Sequence, residues 1–259
     1  MPRSNEPGRS VSSRVMELLF AFLPNQQALS LADLVRRTGL PHATARRLLH
    51  ELAAAGAVEQ RADGKFTIGL RLWQLGTLAP HTESLRSLAQ PVVEDLYVAL
   101  HQHVQLAVLE GDEAVIIERL SAREAVGLVS RVGGRLPLHA SAVGKVLLAH
   151  GGAERRARIV HPQPRRFTPT TITDPAALEA ELETVRRTGI ATVREELTPT
   201  AESVATRILD GEGTVVAALS VVLRAGSVDL AAAIPSVVAS GLRLSRLVGW
   251  RPGITARDA

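Results

Sequence analysis

Residues 31–50, LADLVRRTGLPHATARRLLH, have the pattern of two short helices that meet at a tight corner. Gly39 suits the end of the first helix, and Pro41 suits the first position of the second. In the second helix, four apolar residues recur at the i, i+3, i+4, i+7 spacing of one buried face: Ala45, Leu48, Leu49 and Leu52. The stretch therefore predicts a helix-turn-helix whose second helix packs through one side.

The other side of this second helix carries polar groups that suit the major groove of DNA. His42, Arg46 and His50 are four residues apart, and Thr44 and Arg47 flank them. A recognition helix needs guanidinium groups and short polar side chains on a helix that is anchored by its other face. We expect Arg47 and Thr44 at phosphates, and the other three near base edges. The alternative is a solvated helix face, which is the commoner meaning of such a pattern when it stands alone.

Elements on both sides of this stretch complete a winged helix-turn-helix. Apolar spacing over residues 11–23 predicts a preceding helix. Ser30 suits an N-cap, with Asp33 at the N3 position of a capping box. Asp63-Gly64 between two strand-like runs predicts a hairpin at 58–68, which would be the wing. The predicted DNA contacts are Ser30, His42, Ala43, Thr44, Arg46, Arg47 and His50 on the helices, and Arg61 and Lys65 on the wing near phosphate.

Positive charge is concentrated in the N-terminal part of the chain. Residues 1–75 carry ten Lys or Arg and six Asp or Glu, so their formal net charge of +4 equals that of all 259 residues. The remainder carries 20 basic and 20 acidic residues (30 minus 10, and 26 minus 6). A basic head on a neutral body is typical of a nucleic-acid-binding domain joined to something else.

The composition excludes several kinds of protein. Without cysteine, the chain has no disulfide, zinc–thiolate site or thiol nucleophile. A hydrophobic content of 46% with 22% charged residues indicates a globular protein. Residues 1–14 lack the apolar core of a signal peptide, and no apolar run reaches the roughly 18 residues of a membrane-spanning helix. We therefore expect a cytoplasmic protein without a membrane partner.

The rest of the chain mixes helical and strand-like patterns, which predicts an α+β body with an antiparallel sheet. A connecting helix is expected at 69–78, closed by Ala79-Pro80, followed by a long helix at 81–101 that Pro91 interrupts. A loop and a helix are expected over 136–150, and an Arg- and Pro-rich surface loop over 151–171. The other expected strands are 103–109, 114–120, 126–132, 203–209 and 214–223, and the other expected helices are 174–187 and 230–248.

Several phrases of the sequence resemble the IclR family of bacterial transcriptional regulators. Residues 29–76 match its head, and GGRLPLHASAVGKVLLA at 133–149 is the most specific phrase. GIATVREEL at 189–197 and SVATRILDGEGTVVAALSV at 203–221 extend the match. The resemblance implies a GAF-like effector-binding domain behind the winged helix. It also implies dimers, commonly paired into tetramers, on palindromic operators.

With this resemblance the chain divides into five parts. These are a flexible arm at 1–9, a winged helix-turn-helix DNA-binding domain at 10–69, a linker helix at 70–80, a GAF-like effector-binding and oligomerisation domain at 81–250, and a tail at 251–259. The apolar faces within 69–101 fit either packing between domains or a subunit interface. We favour the interface, because one head alone makes few contacts with an operator.

The resemblance also carries over an effector site, position by position. Its residues are Leu136, His139, Ala140, Ser141, Ala142 and Val143 around a helix start, and Val193, Ala201, Ser203, Ser220 and Val222 further along the chain. A helix N-terminus can hold a carboxylate without any basic side chain.

The sequence departs from the family pattern at several of these positions. Val193 replaces an acidic residue, Val222 a small polar one, Ala142-Val143 a smaller pair, and Pro199-Thr200 interrupts a glycine-bearing loop. We therefore expect an organic-acid site more apolar than one built for a two- or three-carbon oxoacid.

Other motifs do not support a cofactor, a metal or catalysis. Gly144-Lys145 lacks the glycine and hydroxyl residues of a phosphate-binding loop, so Lys145 is expected to form a pair at the surface or an interface. His101, His103 and His139 have no carboxylate at ligand spacing, although His-x-His on a strand would point both rings to one face. Ser141 beside His139 lacks a nucleophile elbow and suits helix capping or ligand binding. Glu195-Glu196 is expected to be a solvated pair.

These features predict an effector-responsive regulator, more specifically a repressor, that binds a double-stranded DNA operator and a small molecule. Three alternatives stay open. They are an enzyme acting on a small acid, a constitutive regulator without a ligand, and a nonspecific chromosomal DNA-binding protein.

Overall fold

Three α-helices and a short β-hairpin open the chain. The structure, a computed structural model, describes residues 10–22, 28–76, 78, 80–121, 131–161, 163–227 and 229–251, with backbone only for 80–84. The elements of this N-terminal part are α1 (Val11–Phe20), α2 (Leu31–Thr38), α3 (His42–Ala54), β1 (Val58–Gln60), β2 (Phe66–Ile68) and α4 (Leu70–Gly76). The predicted arm at 1–9 lies outside the described residues.

The helices and the hairpin share one apolar core. Its most buried members include Leu18 of α1, Leu34 of α2, Leu48 and Leu49 of α3, and Phe66 of β2. Each such side chain stabilises the fold by about 1.5–3 kcal/mol relative to exposure to water. The predicted buried face of α3 is confirmed, although its last member is only half-buried.

Both ends of α2 are closed as the sequence predicts. The Ser30 hydroxyl accepts a hydrogen bond from the Asp33 amide at 3.2 Å, and the Asp33 carboxylate accepts one from the Ser30 amide at 3.1 Å. Gly39 follows the helix with a φ of 66°, a left-handed conformation that costs glycine little. Pro41 precedes α3 as its N-cap residue instead of forming its first turn. The corner between α2 and α3 is therefore fixed by local chemistry.

The predicted wing is present. β1 and β2 pair antiparallel from Val58 opposite Ile68 to Gln60 opposite Phe66. Leu29, just before α2, adds an isolated bridge to Phe66, with hydrogen bonds of 3.0 and 2.8 Å. The bridge holds the hairpin against the start of the helix-turn-helix.

The second compact unit, Ser84–Ala259, is organised around a six-stranded antiparallel sheet. Its strands lie in the order β5-β4-β3-β8-β7-β6. Their bounds are β3 (His103–Glu110), β4 (Glu113–Leu120), β5 (Arg135–Pro137), β6 (Ile190–Arg194), β7 (Ala201–Leu209) and β8 (Val215–Arg224). The first unit, Met1–Glu83, ends inside the helix that precedes β3.

Helices cover both faces of this sheet. α5 (Pro80–Leu100) and α9 (Leu230–Val248) pack on one face. α6 (Ala142–His150) and α8 (Pro175–Thr188) pack on the other, and α7 (Ala153–Val160) connects them. The α+β architecture with an N-terminal winged helix and an antiparallel sheet in the C-terminal domain is thus confirmed.

The long helix α5 runs through Pro91 without interruption, so the predicted break is wrong. Pro91 lies on the exposed side of the helix, where water can satisfy the carbonyl that loses its partner. Neighbouring Ala89, Val92 and Val93 are buried and hold the helix against the sheet. Pro80, expected to close the preceding helix, instead begins α5, a position that proline favours.

Residues 153–160 form α7, although the sequence suggested a surface loop there. Arg155 and Arg158 lie 3.5 and 3.0 Å from Asp112, and Arg156 lies 3.3 Å from Glu179. Arginine is a good helix former, and the prolines of this segment all follow the helix. Composition over 151–171 therefore obscured a boundary at about residue 161.

Other expected boundaries also changed. α1 ends at Phe20, and residues 23–27 are not described. The edge strands β5 and β6 were not expected, because each is short. The expected strand at 126–132 falls mainly on 122–130, outside the described residues.

The last helix, α9, matches its predicted bounds and has a buried face. Its 19 residues have a mean hydropathy of 1.2, enough by length and composition to cross a membrane. However, Leu230, Ala233, Val237 and Leu244 pack in the core beside the sheet. α9 thus packs against the sheet through one face.

Candidate DNA-reading helix and effector site

α3 presents the side that the sequence predicts for DNA. The exposed residues of this side are His42, Ala43, Arg46, Arg47 and His50. Thr44 is half-buried, while Ala45 is fully buried in the core. The structure therefore brings the predicted helix residues onto one accessible surface.

The two arginines of this surface differ in their partners. Arg47 lies 2.6 Å from Glu51, one turn further along α3. Arg46 forms no ion pair with any residue that the structure describes, so its five N–H donors are available to an external acceptor. On the wing, Arg61 lies 3.5 Å from Asp63, and Lys65 is exposed.

Ser30, another predicted DNA contact, is already engaged within the protein. Its hydroxyl donates to Asp33 Oδ2 at 2.7 Å while accepting from the Asp33 amide. The hydrogen bonds from the Ser30 side chain and backbone, followed by Arg36, lower the pKa of Asp33 from 3.8 to about 2. The capping box formed by Ser30 and Asp33 therefore holds an ionised carboxylate at the start of α2.

Replacing Ser30→Ala should raise the pKa of Asp33 and destabilise the N-terminal domain by about 0.5–2 kcal/mol. Because the folded pKa of Asp33 lies below its unfolded value, its contribution is present above about pH 4 and is lost as pH falls towards 2. An NMR titration of the Asp33 carboxyl in both proteins measures the shift. An unchanged Asp33 pKa in Ser30→Ala would contradict this role of the hydroxyl.

The strand residues predicted for the effector share one face of the sheet. Val193 of β6 pairs with Ser203 of β7, which pairs with Val222 of β8. Ala201 and Ser220 lie two residues away on their strands and so point to the same side. All five are buried, and α6 packs on this face. The structure therefore assembles these five predicted positions.

The start of α6 supplies the second part of the candidate site. Ser141 caps the helix, accepting from the Gly144 amide at 3.2 Å and donating to the Pro137 carbonyl at 2.8 Å. Ala140, Ala142 and Val143 are buried around it. A Cβ at Gly144 would lie 2.6 Å from the Pro137 carbonyl oxygen, so only glycine permits this approach. Of the two roles expected for Ser141, helix capping and ligand binding, the capping role is confirmed.

His139 and Leu136 have other partners. His139 Nε2 donates to the Arg165 carbonyl at 2.8 Å, and its ring stacks on Phe167 with centroids 5.6 Å apart. Burial lowers the pKa of His139. Leu136 pairs with Ala114 of β4 and packs, half-buried, on the core under α6. Both residues thus make contacts within the protein near the start of α6.

Lys145 is buried, so the expectation of a surface or interface pair is wrong. Its Nζ is 2.6 Å from Glu196 Oε1 and 3.6 Å from Glu181 Oε1, and its side chain has no exposed area. Glu196 is only 7% exposed, which also corrects the expected solvated pair at 195–196. Its Oε2 accepts from the Ile172 amide at 3.3 Å. This ion pair joins α6 to the loop before β7.

That loop contains strained backbone at a residue that is not glycine. Thr200 has a φ of 64°, where a β-branched residue is disfavoured by about 1–3 kcal/mol. Its amide donates to Glu195 Oε1 at 2.8 Å, and its carbonyl accepts from the Ala225 amide at 2.8 Å. The loop therefore adopts at Thr200 a conformation that glycine accepts more easily than a β-branched residue.

Three polar residues on the effector face were not predicted as part of the site. His103 pairs with Val222, and Gln105 pairs with both Ser220 and Arg119. His103 and Gln105 are buried and Arg119 is half-buried. Alternating polar residues in an otherwise apolar β3 were the available signal.

The histidines do not form the arrangement that the His-x-His pattern suggested. His101 has a φ of 51° and precedes β3, so it does not share the sheet face of His103. Across the described residues, no group of three or more His, Cys, Asp or Glu is placed to hold a metal ion.

A cleft of about 330 Å³ lies near the start of α9. It is lined by Arg194, Glu202, Gly226, Ser227, Asp229 and Leu230. Arg194 and Glu202 are 3.5 Å apart and partly neutralise each other there. None of the predicted effector residues lines this cleft, so it is separate from the candidate site.

Two family models together match most of the chain. Residues 12–62 match the IclR helix-turn-helix domain, and residues 78–241 match the bacterial transcriptional regulator IclR C-terminal domain. The first match contains α3, and the second contains the whole sheet and the start of α6. Each match thus contains one of the two surfaces described above.

Individual relatives agree with these matches. The chain is 33% identical to the transcriptional regulator XynR of Escherichia coli K12 over 242 residues, covering 92% of this chain and 96% of XynR. It is 35% identical over 194 residues to the repressor AllR of the same strain, covering 74% and 72% of the two chains. Its fold is similar, with a TM-score of 0.86 and 36% identity, to an IclR homolog from Microbacterium hydrocarbonoxydans complexed with 4-hydroxybenzoate; that match covers 92% of this chain and 99% of the homolog.

Proposed function

This chain belongs to the IclR family of bacterial transcriptional regulators, and we propose that it is a cytoplasmic repressor controlled by an organic acid. It is a DNA-binding regulator with a helix-turn-helix head and a C-terminal effector domain. In the proposed cycle, the heads of an oligomer bind a palindromic operator. The acid then shifts the protein towards an arrangement that dissociates from the operator. Such a shift requires the acid to bind one arrangement better than the other.

The exposed surface of α3 is the observation that carries the proposal. It places Arg46, which has no ion pair among the described residues, beside exposed His42 and His50 on a helix fixed by buried Leu48 and Leu49. A free guanidinium on a rigid helix can reach guanine O6 and N7 with two parallel hydrogen bonds. The wing would add phosphate contacts through Lys65.

Self-association is supported by apolar side chains on α4. Leu70, Trp73 and Leu75 are 61%, 64% and 64% exposed. Large apolar residues grouped on one short helix are typical of a protein–protein interface. We propose a homodimer through this segment, with pairing of dimers into tetramers, because two heads on a twofold-symmetric operator multiply affinity.

An apolar acid is supported as the effector by the residues of the sheet face. Val193 and Val222 flank Ser203 in one row, so two of these three positions offer a ligand an apolar side chain without a hydrogen-bonding group. The homolog with 36% identity binds 4-hydroxybenzoate, an aromatic acid. The N-terminus of α6, at Ala142 and Val143, would hold the carboxylate through backbone N–H groups.

An enzymatic role is not supported by the residues that first suggest one. The Ser141 hydroxyl is used to cap α6, and His139 donates its Nε2 proton to a backbone carbonyl. A nucleophile needs a base within hydrogen-bond reach, and here both groups have other partners. We therefore propose that the C-terminal domain binds its acid without converting it.

Footprinting on the DNA upstream of its own gene tests the proposal at a fixed salt concentration. The expected result is a discrete palindromic footprint that at least one apolar acid weakens, from a panel of benzoate, 4-hydroxybenzoate and benzene-1,4-dicarboxylate, and that glyoxylate and pyruvate leave unchanged. Repetition at higher salt should weaken binding steeply, because phosphate contacts release counterions.

Each competing function gives a different footprint. Uniform protection of any sequence would indicate a nonspecific chromosomal protein, and a footprint unaffected by every acid would indicate a constitutive regulator. Consumption of an acid without DNA binding would indicate an enzyme. Release by glyoxylate or pyruvate alone would overturn the apolar-site part of the proposal.

A further inference from the structure

A row of paired residues crosses five strands of the sheet on the face that α6 covers. In order, the row is Ala191, Ala205, Ser220, Gln105 and Arg119. The neighbouring row is Val193, Ser203, Val222 and His103. Directly paired residues point to the same side of a sheet. The surface that holds the candidate effector residues therefore continues through Gln105 to Arg119.

Arg119 carries a charge that the described structure does not balance. Its side chain is half-buried, and its Nε atom is fully buried without a hydrogen-bond partner. No carboxylate among the described residues forms an ion pair with it, and burial lowers its pKa. Its paired neighbour Gln105 is neutral. Removing a guanidinium from water in this way costs free energy unless the group pairs with an anion.

Another arginine, on the strand next to β4, shows that arginines on this side of the sheet can have acidic partners. Arg135 of β5 lies 2.6 Å from Glu110 and 3.2 Å from Glu113. Glu110 ends β3 and Glu113 begins β4, on the two sides of the exposed turn between these strands. Carboxylates thus neutralise the exposed arginine, whereas the half-buried one lacks them among the described residues.

We propose that Arg119 binds a carboxylate of the effector, and that the effector is a dicarboxylic acid with an apolar spacer. One carboxylate lies at the N-terminus of α6, and the second lies against the planar fork of Arg119, which matches a carboxylate with two hydrogen bonds. Ser220, a predicted polar position of the same row, lies two strand spacings, about 10 Å, from Arg119, so an acid that reaches both residues needs a spacer longer than that of a three-carbon acid. This inference rests on the proposed control by an organic acid and specifies its class.

Calorimetry with matched pairs of acids tests the inference on the full chain. The probes are benzene-1,4-dicarboxylate against benzoate, and hexanedioate against hexanoate. At least one dicarboxylate should bind the unaltered protein about tenfold or more tightly than its monocarboxylate partner. Arg119→Gln should weaken that dicarboxylate about 10- to 150-fold and leave the monocarboxylate unchanged, because a hydrogen bond to a charged group is lost. Arg119→Lys keeps the charge but not the planar guanidinium. Its affinity for the dicarboxylate should therefore lie between that of the unaltered protein and that of Arg119→Gln.

Two controls separate ligand binding from a structural role of Arg119. Arg135→Gln removes a paired, exposed arginine nearby and should leave both affinities unchanged. The melting temperature of unliganded Arg119→Gln should equal or exceed that of the unaltered protein, because an unpaired, partly buried charge is removed. A large fall in melting temperature would overturn the inference by assigning Arg119 a structural function.

The outcome is distinguishable from that of the proposed function. Failure of both dicarboxylates to bind, or equal binding by Arg119→Gln and the unaltered protein, overturns the inference even when another acid releases the operator. A dicarboxylate that depends on Arg119 but does not alter the footprint supports the inference and contradicts control by the acid.

Discussion

The Lys145→Met variant is expected to lose about 3–5 kcal/mol of its free energy of unfolding. Lys145 is fully buried, and its Nζ lies 2.6 Å from the nearly buried Glu196 carboxylate. Removing the ammonium leaves that carboxylate in a poorly solvated place with Glu181 as another negative neighbour at the same site. Urea denaturation followed by circular dichroism measures the loss.

A surface pair gives the matched control for this prediction. Arg186 lies 2.8 Å from Glu183, but both side chains are more than half exposed, so Arg186→Met should leave the free energy of unfolding nearly unchanged. The double variant Lys145→Met/Glu196→Gln should recover part of the loss, because the unpaired charge is also removed. Equal losses in Lys145→Met and Arg186→Met would contradict the buried-pair argument.

The Arg46→Ala variant is expected to bind its operator about 5- to 150-fold more weakly, which corresponds to about 1–3 kcal/mol for one bidentate base contact. Arg46 is exposed on α3 and forms no ion pair with a described residue, so its removal leaves the fold intact. Sequence discrimination should fall at one base pair in each half-site. Quantitative footprinting on operator variants at one salt concentration measures both effects.

Lys65→Ala on the wing provides the contrasting variant. A phosphate contact carries no base information, so this change should weaken all sequences alike and reduce the salt dependence by about one unit of slope. Uniform weakening by Arg46→Ala, with discrimination retained, would move Arg46 from base edges to the phosphate backbone. An operator affinity unchanged in Arg46→Ala would exclude α3 as the reading helix.

Local elements of the fold could be predicted from the sequence because their determinants are neighbours along the chain. The cap at Ser30, the left-handed turn at Gly39 and the Asp63-Gly64 hairpin each depend on a few adjacent residues. The apolar spacing of α3 assigned its buried side by helix periodicity alone. Two such predictions were wrong. The arginine-rich residues of α7 were expected to form a loop, and Pro91 was expected to interrupt α5, but it lies on the exposed side of an unbroken helix.

The effector face could be predicted only in part, because strand register is a property of the assembled sheet. Family resemblance supplied Val193, Ser203 and Val222, and the structure places them in one row. It offered no reason to add Arg119, which reaches the same face only because β4 pairs with β3 and β3 with β8.

By itself, the sequence determined that this protein has a basic N-terminal part with a helix that is apolar on one face and polar on the other, since charge and periodicity are fixed by residue order. The tertiary structure alone decided the environment of Lys145 and of Arg119. Glu196 is 51 residues from Lys145, and folding brings the two to 2.6 Å and removes both from water. The energetic effect of a charged side chain depends on its exposure to solvent and on its partners. Both are set by the fold and cannot be read from residue type.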